Sequence, residues 1–296
     1  MTLSSCLPPG VEGGIGDGGE VWFRGVGIHT GEIATVSVSL DSTPAPVGVR
    51  FVTSSGVTIP ALSTHVVDTA RCTVLGTGDG VTVSTVEHLL SAFHGLGIGS
   101  AVITIDGPEV PILDGSAALW VDALRSAGVA AAVPPQRRTI AEPIVVSGKG
   151  GSFLAAYPSD RTCITLSLSF DHPLVGTQVV RFEPAGGRYR LDVAPARTFG
   201  FIEEVEALRA AGLARGGSFE NAVVIYRDHL STPLRSPNEL AYHKLLDVLG
   251  DLFLAFGGPL PYAIDLVAVK PSHRLNVELA ARLAQVAAAD AVPTYS

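Results

Sequence analysis

Apolar and polar residues alternate in short runs at residues 21–23, 35–40 and 49–52, the period of half-buried strands, with Gly, Pro, Ser and Asp between them. The period changes near Thr85. Val86, Leu89, Leu90 and Phe93 then fall at i, i+3, i+4 and i+7, which predicts a helix with one buried face. A strand at 101–105 and a helix at 116–127 complete the first half. The same order returns in strands around 143–146, 153–157 and 164–170, a helix at 238–256, a strand at 262–269 and a helix at 275–287. This repetition predicts an internal duplication of α+β units, one over 20–133 and one over 139–296. Pro134-Pro135-Gln136-Arg137-Arg138 reads as the linker between them. The second unit carries an insert at about 197–226, with a helix pattern at 203–211 ahead of a strand-like run at 222–226.

The helix at 238–256 is apolar almost all round, through Leu240, Leu245, Leu246, Val248, Leu249, Leu252, Phe253, Leu254 and Phe256. Such a helix is buried. His243, Asp247 and Asp251 nevertheless recur on it every four positions and stack along one face. Burying them unpaired would cost several kcal/mol. A surface His-Asp pair, worth about 0.2–0.5 kcal/mol, would not explain the apolar surroundings. A cation does. Two histidines and one carboxylate with a fourth position open form a catalytic zinc set. Glu87-His88 offers the other histidine, although Ser84-x-x-Glu87 also fits a capping box and a lone His88 reads as a satisfied imidazole. Lys270-Pro271-Ser272-His273 falls where a strand ends and a helix begins, a place where side chains face clefts.

Composition narrows the function classes. With 47% hydrophobic and 16% charged residues over 296 positions, the chain can bury cores and is not disordered. Lys and Arg number 20 against 28 Asp and Glu, a net charge of −8 that argues against nucleic-acid binding. The lysines are Lys149, Lys244 and Lys270 alone. Mean hydropathy is +0.38. The most apolar stretch, 252–269, is broken by Gly257-Gly258-Pro259, Pro261 and Asp265, so no stable membrane insertion is expected. Leu3-Ser4-Ser5-Cys6 has the letters of a lipoprotein box without the basic and apolar segment that precedes one. Cys6, Cys72 and Cys163 are too scattered for a disulfide framework or a Cys-zinc site, which fits a reducing cytoplasm. Gly14-Ile15-Gly16-Asp17-Gly18-Gly19 matches a dinucleotide fingerprint by letter only, and reads as a flexible N-terminal segment. GxSxG and Walker A patterns do not occur.

Several blocks together resemble the UDP-3-O-acyl-N-acetylglucosamine deacetylases of lipid A synthesis. They are Thr85-Val86-Glu87-His88-Leu89-Leu90-Ser91-Ala92, residues 109–116 (Glu-Val-Pro-Ile-Leu-Asp-Gly-Ser), Arg197-Thr198-Phe199-Gly200-Phe201, and His243-Lys244-x-Leu246-Asp247-x-x-Gly250-Asp251. Residues 25–32 and 216–222 fit as well, in the family's order. The resemblance implies two similar layered α/β-sandwich domains with a βαβ insert in the second, and a zinc site between them. It implies that His88, His243 and Asp247 bind Zn2+, that Glu87 is the general base, and that His273 is the general acid or electrostatic partner, oriented by Asp251. Lys244 and Thr198 would contact the carbonyl region, and Phe170, Phe199, Phe201 and Lys270 would bind substrate. The implied partner is a small UDP-sugar with an acyl chain, and the protein would be a cytoplasmic monomer. Ser272 stands where the family commonly has Gly, Gly99-Ser100 where it has Asp-Asn, and Lys149 is out of register with a basic residue the family often carries. Two other readings are a zinc deacetylase acting on a different acetylated amino sugar and an inactive metal-binding scaffold.

Overall fold

A hairpin opens the first half: β1 (Glu12–Ile15) pairs with β2 (Val21–Val26), and β3 (Ile33–Leu40), β4 (Val49–Thr53) and β5 (Thr58–Pro60) follow. A small antiparallel sheet of β6 (Val66–Asp68), β7 (Val74–Gly76) and β8 (Thr82–Val83) leads into α1 (Glu87–Leu96), β9 (Ala101–Ile105) and α2 (Ala118–Ser126). The main sheet runs β1-β2-β3-β9-β4-β5, with β4 parallel to β9 and the other neighbours antiparallel. This computed structural model describes residues 7–40, 48–129 and 138–290. The Leu3–Cys6 box and the linker residues Pro134, Pro135, Gln136 and Arg137 lie outside them.

The second half contains β10 (Arg138–Thr139), β11 (Ile144–Ser147), β12 (Phe153–Pro158), β13 (Cys163–Ser169) and β14 (Thr177–Phe182). Then come β15 (Phe199–Phe201), α3 (Ile202–Ala210), β16 (Val223–Ile225), α4 (Glu239–Phe253), β17 (Tyr262–Val269) and α5 (His273–Asp290). Its sheet runs β11-β12-β17-β13-β14, and β10 adds to β17 in parallel. In that sheet β17 is parallel to β13 and antiparallel to β12, the order and sense of β2-β3-β9-β4-β5. Each sheet therefore receives one strand between two helices: α1-β9-α2 in the first, α4-β17-α5 in the second. β15 and β16 form a separate parallel pair with α3 between them in sequence. The chain is a mixed α+β protein.

Alternation puts Val21, Phe23, Val36, Val38, Phe51, Ile103 and Ile105 inside, where they join one continuous core with α1 and α4. α4 is apolar on nearly every side because α1, α5 and β13 all pack on it. Phe93 of α1 meets Phe253 of α4 edge to face, with centroids 6.3 Å apart. One turn earlier on α4, Gly250 lies against the backbone carbonyl of Glu87 at the start of α1, where a Cβ would collide.

The glycine-rich stretch at 14–19 is no flexible segment. Gly13 and Gly14 belong to β1, and Gly16 N donates to Glu20 O at 2.8 Å to close the hairpin. Just before this stretch, Gly13 lacks a side chain for a packing reason, since a Cβ there would run into the Phe23 ring, while Gly18 and Gly19 take positive φ in the turn. Strands β5, β6, β7, β8 and β14 carry too few apolar residues, or are too short, to stand out by period alone. Among the described residues no helix is long and apolar enough to cross a membrane, and Cys72 and Cys163 are both buried and free.

Candidate metal centre and active-site cleft

The starts of α1 and α5 converge on the middle of α4. The first turn of α1 supplies Glu87 and His88, α4 supplies His243 and Asp247 one turn apart, and α5 begins at His273. One ligand atom from each of His88, His243 and Asp247 lies within 4.8 Å of the others, and all three residues are buried. Asp247 Oδ1 is 3.4 Å from His243 Nε2 and 3.8 Å from His88 Nε2, and it has no hydrogen-bond partner. Donors about 2.0–2.1 Å from a tetrahedral ion stand about 3.4 Å apart, so the set fits such an ion with a position to spare. Both rings are in the ligating state: burial lowers the His88 pKa to about 3 and lowers that of His243 too. His243 Nδ1 donates to Ala196 O at 3.1 Å, which leaves Nε2 for the centre. Burial opposes the charge on Asp247, but His243 and Lys244 hold its carboxyl below the usual range. Lys244 Nζ donates to Asp247 Oδ2 at 2.9 Å and sits 5.5 Å over the Phe199 ring.

Facing this set, His273 Nε2 is 3.8 Å from Glu87 Oε1. His273 Nδ1 donates to Asp251 Oδ2 at 2.9 Å, and Asp251 is further held by Thr73 Oγ1 (2.5 Å) and Asn276 Nδ2 (2.8 Å). Thr73 N donates to Glu87 Oε2 at 3.1 Å, so one threonine touches both carboxylates. Burial pushes Glu87 up to about 8 although His273 pulls it down. Burial disfavours the His273 cation, yet Asp251 and Glu87 raise it to about 9. The capping box is not formed: Val86 precedes α1, no side chain caps it, and Ser84 N donates to Pro108 O.

Glu87, His88, His243, Lys244, Asp247 and His273 open onto one cavity of about 740 Å³. Thr198, Phe170, Phe199 and Phe201 also line it, with Phe170 edge-on to Phe199 at 6.2 Å and tilted against Phe201 at 4.9 Å. Ile202, Val205 and Leu208 present the half-buried face of α3 to the same space. Asp251 is not part of the lining and reaches the cavity only through His273. Lys270 is exposed at the end of β17, with φ 48° and its N–H on Ser167 O, and is not brought into the lining. Ser272 reaches forward as a helix cap, its Oγ accepting from Leu275 N at 3.4 Å.

The profile of the LpxC family, UDP-3-O-acyl N-acetylglycosamine deacetylase, matches residues 18–285. The chain belongs to the LpxC family. UDP-3-O-acyl-N-acetylglucosamine deacetylase of Anaeromyxobacter dehalogenans is 42% identical to it over 258 residues, 86% of this chain and 82% of the relative. The enzyme of that name from Leptospira biflexa is 41% identical over 265 residues, 88% and 86% of the two chains. The one from Myxococcus xanthus is 39% identical over 262 residues, 87% and 82%.

Sequence reading missed several parts of this LpxC-family site. Thr73 sits in a run with no periodic signal, Asn276 is one of several polar residues within the α5 helix pattern, and the Ala196 carbonyl is a backbone group that any residue would supply. His29 is a further cavity residue, its ring Nδ1 buried without a partner and its pKa lowered by burial. It lies within the 25–32 block, whose recurrence in the family pattern was the available signal.

Proposed function

We propose that the protein is a zinc-dependent amidohydrolase that removes the N-acetyl group of UDP-3-O-acyl-N-acetylglucosamine, releasing acetate and a free amine for lipid A synthesis. The observation that carries this reading is the convergence of His88, His243 and Asp247 beside the facing pair Glu87 and His273. Metal binding alone would need only the first three. His88 Nε2, His243 Nε2 and Asp247 Oδ1 would hold the ion. Zinc bound there supplies Lewis acidity and makes water more acidic.

Glu87 takes the proton of the water that attacks the acetamide carbonyl. Burial, together with the neighbouring carboxylates, raises its pKa to about 8, which makes the ionised form a stronger base than an ordinary carboxylate. His273 remains protonated up to about 9 and gives its Nε2 proton to the departing amine, while Asp251 fixes the ring through Nδ1. Lys244 and Thr198 face the space the carbonyl oxygen would occupy, and Phe170, Phe199 and Phe201 form an apolar wall for the substrate. The α3 face supplies an apolar passage for the acyl chain.

The matched order and sense of the two sheets support a duplication into two layered domains, over 20–133 and 139–296, with β15-α3-β16 as a βαβ insert at about 197–226. The site then lies at their seam, where α1 meets α4. The family resemblance supports a cytoplasmic monomer, and Lys270 would reach the substrate only from outside the cavity as formed. Metal analysis of the purified protein, together with acetate release from the UDP-sugar, tests the whole reading. A protein that carries no zinc and releases no acetate would overturn it.

A further inference from the structure

Glu109 heads the 109–116 block, yet it does not itself line the cavity or touch the proposed metal ligands, and it is 1% exposed. A buried carboxylate needs donors, and these come from two distant segments. His29 N donates to Oε1 at 3.0 Å, and Thr30 N and Thr30 Oγ1 both donate to Oε2 at 2.8 Å. Thr85 Oγ1 donates to Oε1 at 2.7 Å. The fit is close enough that a Cβ on Gly27 would collide with the Glu109 carboxylate.

Both segments lead directly to the reacting centre. Thr85 has φ 58°, a left-handed conformation that a β-branched residue avoids, and it stands two positions before Glu87 and three before His88. Ser84 is bridged to Glu109 along the backbone, so the chain turns at Thr85 while fixed on its upstream side. The other segment places the His29 ring in the cavity wall. We propose that Glu109 is a positioning residue: its carboxylate holds the Thr85 turn, which aims Glu87 and His88 off the start of α1, and ties the His29 loop to the same anchor. This role rests on the deacetylase reading and adds to it the device that sets the geometry of the base and of one ligand.

The test uses the zinc-loaded full chain and UDP-3-O-acyl-N-acetylglucosamine. Thr85→Val removes the hydroxyl and keeps the shape. Per zinc-bound site, kcat should fall by about 10–100-fold, the range for groups that orient a metal ligand, with KM changed by less than about twofold. Zinc affinity, measured by chelator competition, should weaken as well. Thr85→Ser should restore most of both. Glu109→Gln should reproduce the loss, and the double variant should be no worse than Glu109→Gln alone, because the two groups act through one hydrogen bond. Unchanged kcat and zinc affinity in Thr85→Val, or additive losses in the double variant, would overturn the proposal. If Glu109→Gln does not fold, the Val and Ser variants at Thr85 decide the matter by themselves. Failure of the wild-type chain to bind zinc or release acetate would instead count against the deacetylase reading.

Discussion

His273 and Asp251 are joined by a 2.9 Å hydrogen bond from Nδ1 to Oδ2, between the first turn of α5 and the last turns of α4. Asp251 is fully buried and is itself held by Thr73 and Asn276, so the imidazole is kept in one orientation with its Nδ1–H on the carboxylate.

That pairing has a pH signature. The native pKa of His273 is raised from 6.5 to about 9: burial opposes the cation, and Asp251 and then Glu87 outweigh it. The folded state binds this proton more tightly than the unfolded one, so the contribution to stability is complete below about 6.5 and is lost as pH rises through about 9. In Asp251→Asn the alkaline limb of kcat/KM should move toward neutral pH. The Tm deficit of this variant should be largest below pH 6.5 and shrink above 9, as melting curves across that range will register.

Replacing His243 with Ala should abolish stoichiometric zinc. Because ligand binding to the native state adds stability, wild-type protein should gain about 2.7 kcal/mol at a free zinc concentration 100 times Kd, and the variant none. Thermal melts with and without zinc, alongside elemental analysis, give the comparison; full metal content in His243→Ala would remove it from the ligand set.

Glu87→Gln separates chemistry from architecture. Glu87 does not form the Ser84 capping box, and a Gln can still accept from Thr73 N, so the substitution should change Tm little and leave zinc bound. The rate should fall by about 10²–10⁴-fold, the contribution of a general base. Near-native kcat would assign the base elsewhere.

The α3 face makes a quantitative claim on the acyl chain. Each buried methylene is worth about 0.8 kcal/mol, so a substrate shorter by four carbons should lose about 3 kcal/mol, or roughly 10²-fold in kcat/KM. Leu208→Asp should flatten that dependence. Equal efficiency for long-chain and acetyl-only substrates would favour action on a different amino sugar.

Gly250→Ala should invert a familiar rule. Within a helix this change usually stabilises by up to about 1 kcal/mol. Here the added Cβ meets the Glu87 carbonyl, so a loss of about 1–3 kcal/mol is expected, together with reduced kcat. A chemical denaturation series measures the sign directly.

Legibility in the sequence followed the physical origin of each feature. β17 was readable to the residue, because Tyr262–Val269 is a buried apolar run ended by Lys270-Pro271. His243, Asp247 and Asp251 were readable because polar residues at four-residue spacing on an otherwise apolar helix demand an explanation. Thr73 was not, since a lone threonine after Cys72 has no pattern, and its role comes from a contact with Asp251 across 178 positions of sequence. The glycines of 14–19 misled for the opposite reason: their pattern suggested freedom, whereas Gly14 pairs with Trp22 in β1 and Gly16 closes the hairpin onto Glu20. The Ala196 carbonyl belongs to the backbone and leaves no trace in residue identity.

The contact between Gly250 and Glu87 sets a spacing without rotamers. Where two helices are separated by side chains, their distance can drift as those side chains exchange conformers. Here backbone meets backbone, and the gap is fixed by atomic radii. Glu87 on α1 and His243 and Asp247 on α4 therefore share a hard reference point. Repacking farther along the seam, at Phe93 and Phe253 for example, can tilt the helices about that point but cannot bring them closer at the site.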